Sequence, residues 1–227
     1  IDWRWMLTDG GTKPNSLTFS HGWVPNSFLT NRWDSFSEML HLYLLAYAYY
    51  PDMPAGSWAA WARPVVTYNG VQMLVGGPLF MHQQTQGFYD LRDYRDPQGW
   101  DYFVEGRNAT LGNRQYCLNN PQSYVGYGTN FWGLSACDIP GGYGSQGAPG
   151  WISDNGTVAP PAAVASLIFT RTLSIRAAET MSSTYPSANG RYGLAGGINP
   201  TQNWVASDVL GLDLGQMMLN IENARDG

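Results

Sequence analysis

Residues 39–50 read MLHLYLLAYAYY, a run in which almost every position is apolar or aromatic. Helical periodicity extends the segment back to residue 33. Phe36, Met39, Leu40, Leu42, Leu44, Leu45, Ala46 and Ala48 then spread over every face, which predicts a central helix rather than an amphipathic surface one. Such a helix over residues 33–50 is about 27 Å long. Its apolar run is short of the ~20 residues that a membrane span requires and contains His41. Residues 212–225 repeat the pattern, with Leu214, Met217, Met218, Leu219 and Ile221 interrupted by Gln216 and Glu222. Two buried helices that carry isolated acids predict a helix-lined cavity.

Further helices are expected over residues 57–68, 78–90, 100–118, 160–169 and 172–184, separated by stretches rich in Gly, Pro, Asn and Ser. The fold class is therefore all-α with long loops. No fixed-period repeat or low-complexity linker divides the sequence, so residues 1–227 read as a single domain. The loop over residues 119–159 is too long to be mere connection and is expected to build a site.

Only 13% of residues are charged, with 12 Lys and Arg against 17 Asp and Glu and a net charge of −5. That share is about half of the usual one. Without clustered basic residues to displace counterions, nucleic acid and anionic membranes are excluded as partners. The sequence begins at Ile1 with no charged n-region and apolar h-region, so a targeting segment is expected to have been removed or not included. Cys117 and Cys137 are too few for a disulfide framework, and their pairing is left open. Asn108-Ala109-Thr110 and Asn155-Gly156-Thr157 are N-glycosylation sequons, which matter only outside the cytoplasm. Together with the low charge they predict an extracytoplasmic protein, secreted or periplasmic.

Glutamate is scarce: Glu38, Glu105, Glu179 and Glu222 are the whole set. Ser35-Phe36-Ser37-Glu38 fits a capping box, in which the glutamate reaches back to the N-cap amide. The alternative is a carboxyl group beside Trp33 whose pKa is raised by desolvation and which serves as general acid or base. Glu222 likewise reads either as a structural acid near Asn223 and Arg225 or as a cavity group. The 10 Trp and 14 Tyr include Trp23, Trp132, Tyr143, Trp151 and Trp204 in loops, where an aromatic face can stack on the C–H face of a pyranose while planar polar groups bind its hydroxyls. Core packing is the competing reading for many of these rings.

No cofactor or metal is implied. Gly142-Tyr143-Gly144-Ser145-Gln146-Gly147 matches G-x-G-x-x-G, but Pro149 follows where a helix should begin. Asp90, Asp93 and Asp96 are interleaved with the neutralising Arg92 and Arg95. His21, His41 and His82 lack the HExxH spacing, and no G-x-S-x-G elbow is present.

Seven short motifs occur in a recognisable order: Gly22-Trp23; Arg32-Trp33-Asp34-Ser35-Phe36-Ser37-Glu38; Gly77-Pro78-Leu79-Phe80 with His82-Gln83; Asp90-Leu91-Arg92; Trp132-Gly133-Leu134-Ser135-Ala136-Cys137-Asp138; Gly156-Thr157-Val158-Ala159-Pro160; and Leu212-Asp213 through Glu222-Asn223. Their order resembles the glycoamylase-like (glucoamylase-like) family, to which endo-β-1,2-glucanases are related. The resemblance implies an (α/α)6 toroid with a glucan-binding pocket and a glycoside hydrolase activity on a β-glucan. By that resemblance the glutamate of W-x-x-[YF]-S-E, here Glu38, looks like one of the catalytic pair. Carried over motif by motif, His82, Asp90, Arg92, Trp132, Asp138 and Asp213 are expected to line the glucan cleft, and Trp33, the loop aromatic Tyr143 and Glu222 are expected to join them as substrate contacts. The family's H-Q-Y-S-H is replaced by His82-Gln83-Gln84-Thr85-Gln86.

Seven helices supply about half of the twelve in such a toroid, and the sequence resembles its C-terminal half. Glycoside hydrolysis usually needs two carboxyl groups about 5 to 10 Å apart. The second is then expected from a missing N-terminal half or from self-association. The class opposed to an enzyme is a non-catalytic carbohydrate-binding or structural subunit of an extracellular assembly.

Overall fold

The computed structural model describes residues 1–75 and 77–225. The chain divides into two compact units, Ile1–Pro64 and Val65–Gly227. It is helix-rich, and the expectation of helices alone is corrected by five small two-stranded antiparallel sheets among the described residues.

In the first unit, α1 (Trp3–Leu7) starts where the Asp2 side chain accepts the Trp5 N–H at 2.8 Å, an ordinary N-cap. A short hairpin, β1 (Trp23–Val24) and β2 (Ser27–Phe28), follows. Helix α2 covers Met39–Tyr49, so the expected start at residue 33 is wrong by six residues. Residues 33–36 are instead held in extended pairing: Trp33 N–H donates to Phe19 O, Ala62 N–H to Asp34 O and Phe36 N–H to Ala62 O. Those bonds compete with the helical ones and win. The capping box is absent as well, because Glu38 itself is the N-cap, in helical conformation and with no side-chain capping bond.

Helix α2 buries Met39, Leu40, Tyr43 and Ala46, whereas Tyr49 is 72% exposed. Within its unit it therefore buries one face instead of all. Rings extend that core: Trp3 packs on Phe19, Phe19 on Tyr43, Tyr43 on Trp61 and Trp61 on Trp58. Arg32 organises the polar side. Its guanidinium donates to Asp9 Oδ1 (2.6 Å), Ser16 Oγ (2.6 Å), Leu7 O (3.1 Å) and Thr18 O.

The expected helix over residues 57–68 does not form. Pro64 removes an amide from its interior, and Val65-Val66-Thr67-Tyr68 is β-branched and aromatic. The second unit opens instead with a hairpin, β3 (Val65–Tyr68) and β4 (Val71–Leu74), joined by Asn69-Gly70. Both turn residues have positive φ, 47° and 79°, the requirement that an Asn-Gly pair meets in a tight hairpin. Helices α3 (Phe80–Phe88) and α4 (Tyr102–Asn119) follow. The 119–159 stretch contains the hairpin β5 (Ala136–Ile139) and β6 (Gly142–Ser145).

Helix α5 (Pro160–Ala165) gives way at Ser166 to α6 (Leu167–Thr184), which is non-helical at Thr170. The break expected at residues 170–171 thus appears as a kink inside one helix. Two further hairpins, β7 (Asn189–Gly190) with β8 (Gly193–Leu194) and β9 (Ile198–Asn199) with β10 (Trp204–Val205), precede α7 (Gly211–Arg225).

Helix α7 packs on α3, α5 and α6, and much of its contact with α3 is polar. Gln216 Nε2 donates to Phe80 O at 3.0 Å, Asn220 Nδ2 to Gln83 O at 3.2 Å, and Asn223 Nδ2 to Gln86 O at 2.9 Å and Gly87 O at 3.1 Å. Positions 216, 220 and 223 lie on one helical face. From α3, Gln83 Nε2 reaches Ala162 O at 2.7 Å and Ser166 Oγ at 2.8 Å.

Asn113 of α4, fully buried, does the same for the loops. It donates to Leu134 O and Ala148 O and accepts the Leu134 N–H. Cys117 and Cys137 are free buried thiols. Replacing Asn113 by Ala leaves the Leu134 N–H and the Ala148 carbonyl without these partners in a buried interior, while the Leu134 carbonyl keeps the Leu79 N–H, at a cost of about 2–4 kcal/mol. Thermal unfolding of Asn113→Ala should show a midpoint lowered by several degrees; an unchanged midpoint would contradict the bridging role.

Candidate functional site

Two groups of sequence-predicted residues are built, one in each unit. In the first, Glu38 sits half-buried at the start of α2. Burial raises its pKa above the usual carboxylate range, only partly offset by its own backbone N–H and by attraction to His21. The His21 ring stacks on Trp33 with centroids 3.8 Å apart and planes 19° apart. Trp33 is anchored at both backbone ends: its N–H donates to Phe19 O at 2.8 Å, and its carbonyl accepts the Tyr43 hydroxyl at 2.9 Å. A carboxyl group whose pKa burial raises thus lies within electrostatic reach of the His21 imidazole, and that ring in turn stacks on Trp33.

In the second unit Asp138 and Tyr143 are register partners across the β5–β6 hairpin. With Trp204 and Asp208 they line a surface pocket of about 290 Å³. The backbone behind Asp138 is supplied by Gly196 and Gly197: a Cβ on Gly197 would collide with the Asp138 carbonyl oxygen, and one on Gly196 would lie 3.1 Å from Asp138 Oδ2. Gly196 N–H also donates to Asp208 O at 3.3 Å.

Asp213, in the first turn of α7, borders a narrow cavity of about 10 Å³ with Gln83, Ser135 and Gln216. That is room for about one water. Oδ2 of Asp138 and Oδ2 of Asp213 are both buried without a hydrogen-bond partner. Burial, and after it the neighbouring Asp138 charge, push Asp213 up to about 6. Asp138 is raised too, by burial and then by Asp208. Three carboxylates in a low-charge surface therefore share one region, and Asp213 is the one that burial lifts furthest.

The remaining expected residues are placed as follows. Asp90 and Arg92 form a two-point ion pair, Nε to Oδ1 at 2.8 Å and an Nη to Oδ2 at 2.9 Å, at the edge of a pocket of about 220 Å³ with Phe88. His82 is buried on α3, and burial pushes its pKa down to about 3, so its ring is neutral. Trp132 is fully buried in the core cluster with Leu134, Cys137 and Ala163. Glu222 is exposed and paired with Arg225 at 2.9 Å. Nine residues from Asp213, it lies about 13.5 Å along α7 on the opposite face. The fold thus brings Asp138, Tyr143 and Asp213 together, keeps His82 and Trp132 beneath the surface, and leaves Glu222 apart.

A model of the Glycoamylase family, glucoamylase-like proteins, matches residues 30–227. The chain belongs to this family. It is 29% identical over 256 residues to an exo β-1,2-glucooligosaccharide sophorohydrolase (non-reducing end) of Parabacteroides distasonis, an alignment covering 99% of this chain and 35% of that one. Among solved structures it resembles the endo-β-1,2-glucanase of Chitinophaga pinensis in complex with sophorotriose and glucose, with a TM-score of 0.88, 27% identity and coverage of 100% and 57% of the two chains. The β-1,2-glucanase of Parabacteroides distasonis gives a TM-score of 0.87 at 26% identity, covering 97% and 36%. The chain spans between about a third and just over half the length of these Glycoamylase-family relatives.

Sequence reasoning missed Asp208, Gln83 and Gln216 as neighbours of the carboxylates. Gln216 left a signal as the polar interruption of an apolar helix; Asp208, in an irregular segment, left none.

The Asp213 carboxyl keeps its proton to higher pH in the folded chain than in the unfolded one. Its contribution to stability is therefore lost as pH rises from about 4 to 6. Asp213→Asn removes that loss. After discounting for solvent screening, the gain at pH 7 is about 1 kcal/mol, or roughly 2–4 °C in Tm, with no gain at pH 4. Melting curves of both proteins across that range check it.

Proposed function

We propose that this chain forms part of a glycoside hydrolase that acts on a β-glucan, with the 1,2-linkage as its first substrate, and that Glu38 is a general acid or base of the reaction. The observation that carries the reading is the half-buried Glu38 carboxyl, its pKa raised by burial, near the His21 ring that stacks on Trp33, in a family whose relatives named above are β-1,2-glucan hydrolases. A protonated carboxyl can donate to the leaving glycosidic oxygen, and the same group ionised can activate water. Burial keeps the protonated form populated to higher pH than an exposed glutamate would allow.

The fold we infer is the C-terminal half of an (α/α)6 toroid, as one family domain. The second carboxylate comes from the other half or from a second copy. Asp138, Tyr143, Asp213 and the Asp90–Arg92 pair serve as glucan contacts in this reading, Trp33 as a stacking surface, and His82 and Trp132 as supports beneath them. Glu222 contributes at the far end of α7.

An extracytoplasmic location, with Asn108 and Asn155 as glycosylation positions, completes the proposal. Asn108 lies on α4 with Nδ2 donating to Gln72 O at 3.1 Å, and Asn155 Oδ1 accepts the Thr157 N–H at 3.1 Å.

The test is reducing-end release from β-1,2-glucan by the full protein and by Glu38→Gln. We expect a loss of about 10²–10⁴-fold in turnover with glucan binding and Tm retained. Equal turnover by the two proteins would remove Glu38 from the reaction. Binding without release by either would favour a carbohydrate-binding protein that keeps the fold without the chemistry.

A further inference from the structure

The first unit contains a second concave surface that shares no lining residue with the Glu38 platform. It encloses about 540 Å³ and is bordered by neither Glu38, Trp33 nor His21. That volume is within the range of about 300–1,000 Å³ in which small-ligand sites fall.

One wall is aromatic. Trp5, Trp23 and Phe28 make a closed triangle, with centroid separations of 5.1 Å, 4.4 Å and 4.8 Å. Trp5 is nevertheless 41% exposed and Trp23 49% exposed. Two indoles this open, braced by a third ring, present a stiff apolar surface to the solvent. Short polar side chains border the same cavity: Thr12, Asn26, Ser27 and Thr30.

The charged residues of this surface are already matched. Asp9 is 5% exposed and lies between Lys13 Nζ at 2.9 Å and Arg32 at 2.6 Å. Burial alone would raise its pKa, but the bonds and charges of Lys13 and Arg32 outweigh burial and keep it ionised. An anionic ligand would have to break the Lys13–Asp9 pair, and an acyl chain would desolvate the hydroxyl and amide side without return. A neutral ligand with an apolar face and many hydroxyls meets neither penalty. Its C–H face stacks on the indoles, and its hydroxyls exchange bonds with Thr, Ser and Asn.

We propose that the Trp5–Trp23–Phe28 cavity is a second, non-catalytic binding site for a neutral oligosaccharide, a β-glucan segment if the hydrolase reading holds, on which the identity of the sugar rests. Two sites on one chain raise the effective concentration of a long glucan at either of them.

The experiment titrates the full protein with β-1,2-linked gluco-oligosaccharides, and in a parallel arm with β-1,3-linked ones, while following the indole N–H signals of Trp5 and Trp23 by NMR. Trp23→Ala and Trp23→Phe are titrated beside it. We expect both indole signals to shift, Trp23→Ala to bind about tenfold more weakly at this site, and Trp23→Phe to stay within about threefold of the parent. Glu38→Gln should leave these shifts intact. Should no glucan be cleaved while Trp23-dependent binding persists, the hydrolase reading falls and the second site stands. Unmoved Trp5 and Trp23 signals with both sugars, or equal affinity for Trp23→Ala, would overturn the site.

Discussion

The helical face that carries Asp213 is held by neutral amides. Gln216, Asn220 and Asn223 project from α7 onto backbone carbonyls of α3, and Gln83 returns from α3 to Ala162 and Ser166. Apolar side chains would pack such a contact in any of several registers. Amides that must each find a carbonyl accept only one, because a donor left without an acceptor in a dry interior is costly. The register so fixed sets where the first turn of α7 begins, and hence where Asp213 meets Ser135 and Gln83. Asn113 plays the same part between α4 and the loops at Leu134 and Ala148. In a chain with few charges, neutral side-chain amides take over the specifying work that ion pairs do elsewhere.

Part of this organisation was legible in the sequence where a helical stretch lay between segments rich in Gly, Pro, Asn and Ser. Helices α4 and α7 lie within two residues of expectation, although Asp101, expected inside α4, is its N-cap. The failures have physical causes. Residues 33–38 carry a helical pattern, yet tertiary partners at Phe19 and Ala62 take their amides. Residues 65–74 carry the Asn-Gly hairpin signal, which the preceding Trp- and Ala-rich stretch masked.

At the candidate sites, Glu38, Asp138 and Asp213 were recognisable from their motifs. That Asp138 and Asp213 interact was not, because they lie 75 positions apart in the sequence, one on the β5–β6 hairpin and the other on α7. Aromatic residues divide the same way. Trp132 and Trp23 are alike as loop tryptophans in the sequence, but one is fully buried and the other half-exposed.

Helix α7 also has ends that belong to different chemical regimes. Its first turn holds a carboxyl that changes charge near pH 6, its middle is fastened by amides that do not titrate at all, and its last turn ends on a solvent-exposed Glu222–Arg225 pair. Ionising Asp213 gains from the positive end of the helix dipole while losing to burial and to Asp138. Mild acidification therefore acts on one end of this rod and stops at the amides. The carboxylate region can change its charge without disturbing the helix pair on which it stands, much as a keyed shaft lets one fitting be altered while the rest of the machine keeps its alignment.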